Sequence, residues 1–318
     1  MNKRARTTPA VASPLVATMG EAMLRYQPID EAPPSSAVRH MPQPFLRSLG
    51  GDELNVAVAL SGVGVKTKWI SVLPTGPMGD VVTESCSAHG VEFGGTRYEG
   101  DLGTFTVLPE KKTVHYQRRH SAFALHSPAS LDWPKLLASS TWLHLTGITP
   151  LVSASARRSW DGALAAAQAA KLPVSLDLNH RPQLGSLEAL WDIVAPHAAH
   201  FELIILSLDQ LQGLVQLQCP QRGPPPDASS SDEECLGHME ALHRGWKCRR
   251  VALCRKTRDP SGVQRRWSLL TSFEDGEIGT ASTHDVPVFH VPKDECGGGS
   301  AWAAGIIHSL HVTPAGSV

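Results

Sequence analysis

The sequence predicts an α/β fold: a mostly parallel central sheet with helices on both faces and a small β lid beside it. Short apolar runs alternate with amphipathic segments along the whole chain, which is how strands buried on both faces and their covering helices read. One stretch, residues 104–118, breaks that rhythm with period-two alternation and marks the lid. At 318 residues and 42% apolar composition the chain can bury a sizeable core.

Leu15–Met19 is a short apolar run and reads as the first strand. Leu24–Pro28 and Val38–Arg47 are assigned to the lid. Asp52–Gly64 is apolar on nearly every side and ends at a glycine, so it predicts a buried helix with a glycine stop. Trp69–Leu73 is the next strand and Gly79–His89 the next helix. Thr104–Leu108 and Thr113–Arg118 flank the polar turn Pro109–Lys112 and predict a hairpin, which completes a lid drawn from about residues 23–49 and 100–119.

The strand–helix rhythm then resumes. Trp142–Thr146, Val174–Asp177 and Leu203–Leu206 predict strands, each followed by a helix: Ala154–Ala170, Leu187–Val194 and Asp209–Leu217. Cys219–Cys235 is rich in Pro, Ser and acids and reads as a mobile surface loop. Beyond it come a helix at Glu233–Arg244, strands at Arg250–Cys254 and Trp267–Thr271, and a helix beginning near Gly298. Residues 1–13 read as a flexible extension ahead of a single domain at 14–318.

With 29 basic against 30 acidic residues, the net charge of −1 provides no field to gather nucleic acid or coat an anionic membrane. A small molecule is the expected partner. The six cysteines show no C-x-x-C pair and read as reduced thiols, and the one helix-spaced histidine pair, His308 and His311, lacks a nearby carboxylate or thiolate to complete a metal set. No run approaches the roughly 18 apolar residues that would span a bilayer. Lys3, Arg4 and Arg6 ahead of an apolar stretch only faintly imitate a targeting segment, so the expected setting is cytoplasmic.

Ligands of such sheets sit beyond the carboxyl ends of the strands. Gly50-Gly51 and Asn55 lie there, at the start of the first buried helix. Glycines let a ligand approach the backbone, free helix N–H groups donate to oxygens, and a neutral amide both donates and accepts. Further windows are Tyr116-Gln117-Arg118 with Ser121-Ala122, then Trp142-Leu143-His144-Leu145-Thr146-Gly147-Ile148-Thr149-Pro150, Asp177-Leu178-Asn179-His180-Arg181, and Gly297-Gly298-Gly299-Ser300. Together they resemble the ribokinase (PfkB) family of sugar kinases, and within it the 2-keto-3-deoxygluconate kinases. The resemblance runs from about Val16 to His308 and is strongest between Gly50 and Arg181.

The resemblance implies a ribokinase-like three-layer sandwich, and ATP with Mg2+ phosphorylating a sugar acid such as 2-keto-3-deoxygluconate. Gly50, Gly51, Asn55, Tyr116, Arg118, Ile148, Asp177, Asn179 and Arg181 would then bind the acid. Arg118 and Arg181 would be the charge-assisted donors that a carboxylate needs, since a guanidinium forks onto it better than an ammonium does. Gly297, Gly298 and Gly299 would hold the transferring phosphoryl group, and Ser207 and Gln210 would belong to the nucleotide–magnesium network, with no residue ligating metal directly. The exposed lid edge would also allow two copies to pair as a homodimer.

The chain departs from the family pattern at several positions. Ser300 stands where the family's final Asp takes the proton from the sugar hydroxyl, and a serine hydroxyl is too weak a base for that. The loss predicts impaired activity, by about 10²–10⁴ in rate. Asp294 matches the motif's first Asp and belongs on the strand side. Ser207-Leu208-Asp209-Gln210 replaces Asn-x-x-Glu, and Val72–Gly79 keeps only the last glycine of Gly-x-Asp-x-x-Gly. The chain ends at Val318, soon after the helix near Gly298, so the carboxy-terminal part of the family's fold is expected to be missing. Two alternatives stay open: a sugar- or nucleotide-binding pseudokinase without turnover, and a kinase for a neutral sugar such as fructose or ribose.

Overall fold

Apolar strands covered on both sides must send alternate side chains into two different cores, and the computed structural model has that arrangement. It describes residues 14–29, 44–108, 113–258, 264–283, 286–288 and 296–311. Leu203 and Ile205 enter one core while Ile204 and Leu206 enter the other, and Val16 and Ala17 divide likewise.

The first half comprises β1 (Leu15–Met19), β2 (Met23–Pro28), β3 (Phe45–Gly50), α1 (Asp52–Gly62), β4 (Lys66–Pro74), α2 (Pro77–Ala88), β5 (Val91–Tyr98), β6 (Gly103–Leu108) and β7 (Thr113–Gln117). Then follow α3 (Ala122–Leu125), α4 (Trp133–Leu137), β8 (Trp142–Thr146), α5 (Thr149–Val152), α6 (Ala154–Ala169), β9 (Val174–Asp177), α7 (Leu187–Val194), β10 (Leu203–Ser207) and α8 (Leu208–Gln218). The chain continues through α9 (Asp232–Trp246), β11 (Arg250–Arg258), β12 (Gln264–Glu274), β13 (Glu277–Ser282), β14 (Val286–Val288) and α10 (Gly298–His311).

The large sheet runs β13-β12-β11-β10-β9-β8-β1-β4-β5, with β14 also on β12. From β11 to β5 every neighbour is parallel; β12 and β13 add an antiparallel edge. One face carries Phe123 of α3, Trp133 of α4, Trp160 of α6, Leu190 of α7, Leu214 of α8 and Met239 of α9. The other carries Val56 and Leu60 of α1 with Ala303 and Ile307 of α10. The lid is a separate sheet, β3-β2-β6-β7, in which β6 and β7 form the predicted hairpin. Leu24 at its root packs with Leu54, Trp69 and Val82.

Several expectations need correction. Val91–Tyr98 is a strand whose Gly94 and Gly95 hide it from a search for apolar runs. The loop expected over Cys219–Cys235 is shorter and is tied down. A 3-10 turn takes up Pro220–Arg222, and α9 begins at Asp232 behind the Ser231–Glu234 capping box, leaving Cys235 fully buried. Arg255 also donates to the carbonyl oxygens of Asp227 and Ser230, at 3.5 and 2.6 Å. The strand expected at Val38–Arg47 lies at Phe45–Gly50, while residues 38–43, the turn 109–112, the extension 1–13, Asp294 and the tail 312–318 lie outside the described residues. All six cysteines are free thiols. Among the described residues no helix is long and apolar enough to cross a membrane, and no cluster of His, Cys, Asp or Glu could hold a metal ion.

Candidate active site

A cleft of about 450 Å³ opens between the carboxyl ends of the parallel strands and the lid. Of the residues given a binding or catalytic role from the sequence, all but Gly298 line it. Gly298 lies just behind, where a Cβ would come within 3.1 Å of the Arg266 guanidinium.

Two helix starts meet on one wall. Gly51, the N-cap of α1, has φ +147°, and a Cβ there would stand 2.4 Å from the Glu21 carbonyl oxygen. Only glycine fits that turn. Gly297 precedes α10 with φ +86°, and its Cβ position lies 3.8 Å from Asn55 Nδ2. Nothing lies within 4 Å of a Cβ built on Gly299, so the backbone at the start of α10 is open to a ligand. Ser300, in the first turn of α10, donates its hydroxyl proton to Asp52 Oδ1 at 2.6 Å, and Arg181 Nη2 stands 3.3 Å from the other Asp52 oxygen.

The floor is acidic yet poor in charge. Glu53 Oε1 accepts the hydroxyls of Thr146 at 2.6 Å and Thr149 at 2.9 Å. Burial nevertheless pushes the Glu53 carboxyl up to about 7, with the nearby Asp52 adding to the rise. Desolvation pushes Asp177 up to about 8; the charge of Asp52 adds to this and that of Arg181 opposes it. Burial holds the imidazole of His144 down to about 4, so it is neutral near pH 7. Asn179, in the left-handed region at φ +38°, turns the chain after β9 and donates its N–H to Asp177 Oδ1 at 3.1 Å. Ile148 caps the turn after β8, its N–H donating to Thr146 Oγ1.

On the lid side, Tyr116 stacks against Phe105 with ring centroids 5.7 Å apart, and the Arg118 guanidinium lies 6.0 Å from the Tyr116 centroid. The two arginines expected to receive a carboxylate differ sharply. Arg118 is a largely buried partner of Glu21, with Nε at 2.7 Å and Nη2 at 2.5 Å from Oε2, and Glu21 Oε1 also accepts Ser121 Oγ. Arg181 is 44% exposed and holds Asp52 by one longer contact. Ser207 and Gln210 form the capping box of α8: Ser207 N–H donates to Gln210 Oε1 at 3.0 Å, and Gln210 N–H to Ser207 Oγ at 3.4 Å.

Sequence reasoning missed Glu21, Asp52 and Glu53 as site residues. A signal was present, since two adjacent acids open an otherwise apolar helix and Glu53 points into its buried side. The partnership of Asp52 with Ser300, 248 residues away, leaves no trace in local sequence.

Residues 13–217 match the family described as pfkB family carbohydrate kinase. A 2-dehydro-3-deoxygalactonokinase from Haloferax volcanii is 31% identical over 175 residues, which cover 53% of each chain. The match spans about half the length of that relative. Among solved structures, the 2-dehydro-3-deoxygluconokinase of Thermotoga maritima shares the fold with a TM-score of 0.78 at 23% identity, over 95% of this chain and 89% of the other. A sugar kinase from Pyrococcus horikoshii, solved in complex with ATP, has a TM-score of 0.66 at 16% identity, over 95% of this chain and 86% of that one.

Proposed function

Because the chain belongs to the pfkB family of carbohydrate kinases, we propose that it transfers the γ-phosphoryl group of ATP to a hydroxyl of a sugar acid of the 2-keto-3-deoxygluconate class. The observation that carries this reading is the meeting of two glycine-bearing helix starts in one cleft, with the guanidinium of Arg181 half-exposed at its rim. The first N–H groups of a helix have no intrahelical partner and favour anions. The start of α10, open at Gly297 and Gly299, suits the phosphoryl group; the start of α1, with Asn55, suits sugar hydroxyls. Such preset donors are most effective where charge develops in the transition state.

Arg181 is the carboxylate donor in this reading, while Arg118, already matched by Glu21, holds the lid wall and orients Tyr116. Magnesium would enter with the nucleotide as part of the substrate, since the neutral pair Ser207 and Gln210 has no charge to retain a bare divalent ion. The names of the Haloferax and Thermotoga relatives support a keto-deoxy sugar acid as acceptor.

The test is a coupled kinase assay comparing 2-keto-3-deoxygluconate, its galacto epimer, fructose and ribose, with Arg181→Lys beside the wild type. Transfer to the acids is expected to dominate. Arg181→Lys is expected to raise their KM about tenfold or more, since a lost bidentate charge contact costs about 1.5–3 kcal/mol. Preference for fructose or ribose overturns the sugar-acid assignment. Binding of acid and ATP without transfer would instead identify a pseudokinase, the outcome expected if the serine at position 300 acts alone.

A further inference from the structure

The family's carboxylate base is absent at position 300, yet a carboxylate stands beside it. Ser300 is only 3% exposed and donates to Asp52 Oδ1 at 2.6 Å. A serine side chain is shorter than that of aspartate, and the Asp52 carboxylate lies directly against its hydroxyl. The two residues come from the first turns of α1 and α10, which pack together with their starts at the same wall of the cleft. Asp52 and Ser300 both line the cleft itself.

Resting on the phosphotransfer reading above, we propose that Asp52 is the proton acceptor of the reaction and that Ser300 relays the proton to it. A hydroxyl that donates its hydrogen to Asp52 keeps lone pairs with which to accept another. In the transfer step the acceptor's hydroxyl oxygen bonds to the γ-phosphorus of ATP. The bond from that phosphorus to the bridging oxygen breaks, and its electron pair leaves on ADP. The acceptor's O–H proton passes to Ser300 Oγ as the proton of Ser300 moves to Asp52 Oδ1. Ser300 is regenerated and Asp52 ends protonated.

The other acids of the floor are worse placed. Glu53 Oε1 already accepts two threonine hydroxyls, and Glu53 is 2% exposed. Asp177 accepts the N–H of Asn179. The titratable and charged groups facing Asp52 are Arg181 from the segment after β9, Asp177 at the end of β9, Glu53 on α1 and His144 on β8. Arg181 is the cation among them, and it holds the second Asp52 oxygen.

The experiment uses the full chain with Asp52→Asn, Ser300→Ala, Ser300→Thr and Ser300→Asp. Calorimetry measures binding of ATP and of 2-keto-3-deoxygluconate, and steady-state kinetics run from acid to alkaline pH. Asp52→Asn is expected to lower kcat by about 10²–10⁴-fold with both ligands still bound and KM little changed. Ser300→Ala is expected to lower kcat with the same binding, Ser300→Thr to restore it by returning the hydroxyl, and Ser300→Asp to give no gain. The relay is overturned if Asp52→Asn raises KM for the acid while sparing kcat, which would make Asp52 only a support for Arg181. It is equally overturned if Ser300→Asp raises turnover, since a base was then missing. A wild type that binds both ligands but transfers nothing sinks the transferase reading and the relay together, and identifies a pseudokinase. One that transfers to a neutral sugar sinks only the acceptor assignment, and the same variants then test the relay on that sugar. A wild type that binds neither ligand sinks the functional reading and the relay with it.

Discussion

Glycine 51 shows how much one residue decides. Its φ of +147° is a region that side chains avoid, and a Cβ would collide with the Glu21 carbonyl oxygen at 2.4 Å. Gly51→Ala is therefore expected to cost about 1–3 kcal/mol of stability through strain, read by urea unfolding, and to weaken binding of the sugar acid because the start of α1 must shift. Unchanged stability would show that the turn relaxes freely. The same scale separates the two arginines. Arg118 and Arg181 look equivalent in sequence, yet Glu21 matches the charge of the first while the second stays half-exposed. Composition and motif order could place both near a ligand. Neither could say which guanidinium was held in a close, largely buried pair, because Glu21 reaches Arg118 across 97 positions of sequence.

At the scale of elements, α8 and its cap carry the sharpest ambiguity. Ser207 and Gln210 line the cleft and also close a reciprocal capping box. If the box is their main role, Ser207→Ala costs about 0.5–2 kcal/mol in urea unfolding, with KM for MgATP unchanged. A raised KM with unaltered stability would assign them to the nucleotide instead. Strands β1, β8 and β9 and helix α7 were legible to the residue, since each is a bounded apolar or amphipathic run. Strand β5 was not, because Gly94 and Gly95 let it lie close to β4: a Cβ on Gly95 would fall 2.0 Å from the Ser71 carbonyl oxygen. The short helices α3, α4 and α5 carry too few turns for a periodic signal.

At the scale of the whole molecule, the buried acids set the pH dependence of stability. Burial raises Asp177 and Glu53 to about 8 and about 7 in the fold, against ordinary values of 3.8 and 4.5. The folded state thus keeps protons that the unfolded chain has released, and stability falls as pH rises toward 8. His144 works in the opposite sense: lowered from 6.5 to about 4, it withdraws stability as pH drops below 6.5. Above pH 6.5 that histidine's slope fades and is nearly gone by about pH 7.5, so Tm is expected to fall as pH rises from there toward 8 and Asp177→Asn to flatten the fall. A level profile in the wild type would mean that water reaches both carboxyls. The sequence by itself determined the α/β layering, the hairpin lid and the order of the glycine and polar windows, because these follow from periodicity and from short-range turn chemistry. Only the tertiary structure decided which charges are matched, which acids are desolvated and that Asp52 faces Ser300. Each of those depends on side chains from distant segments meeting in a space of low polarity, and no local pattern records such a meeting.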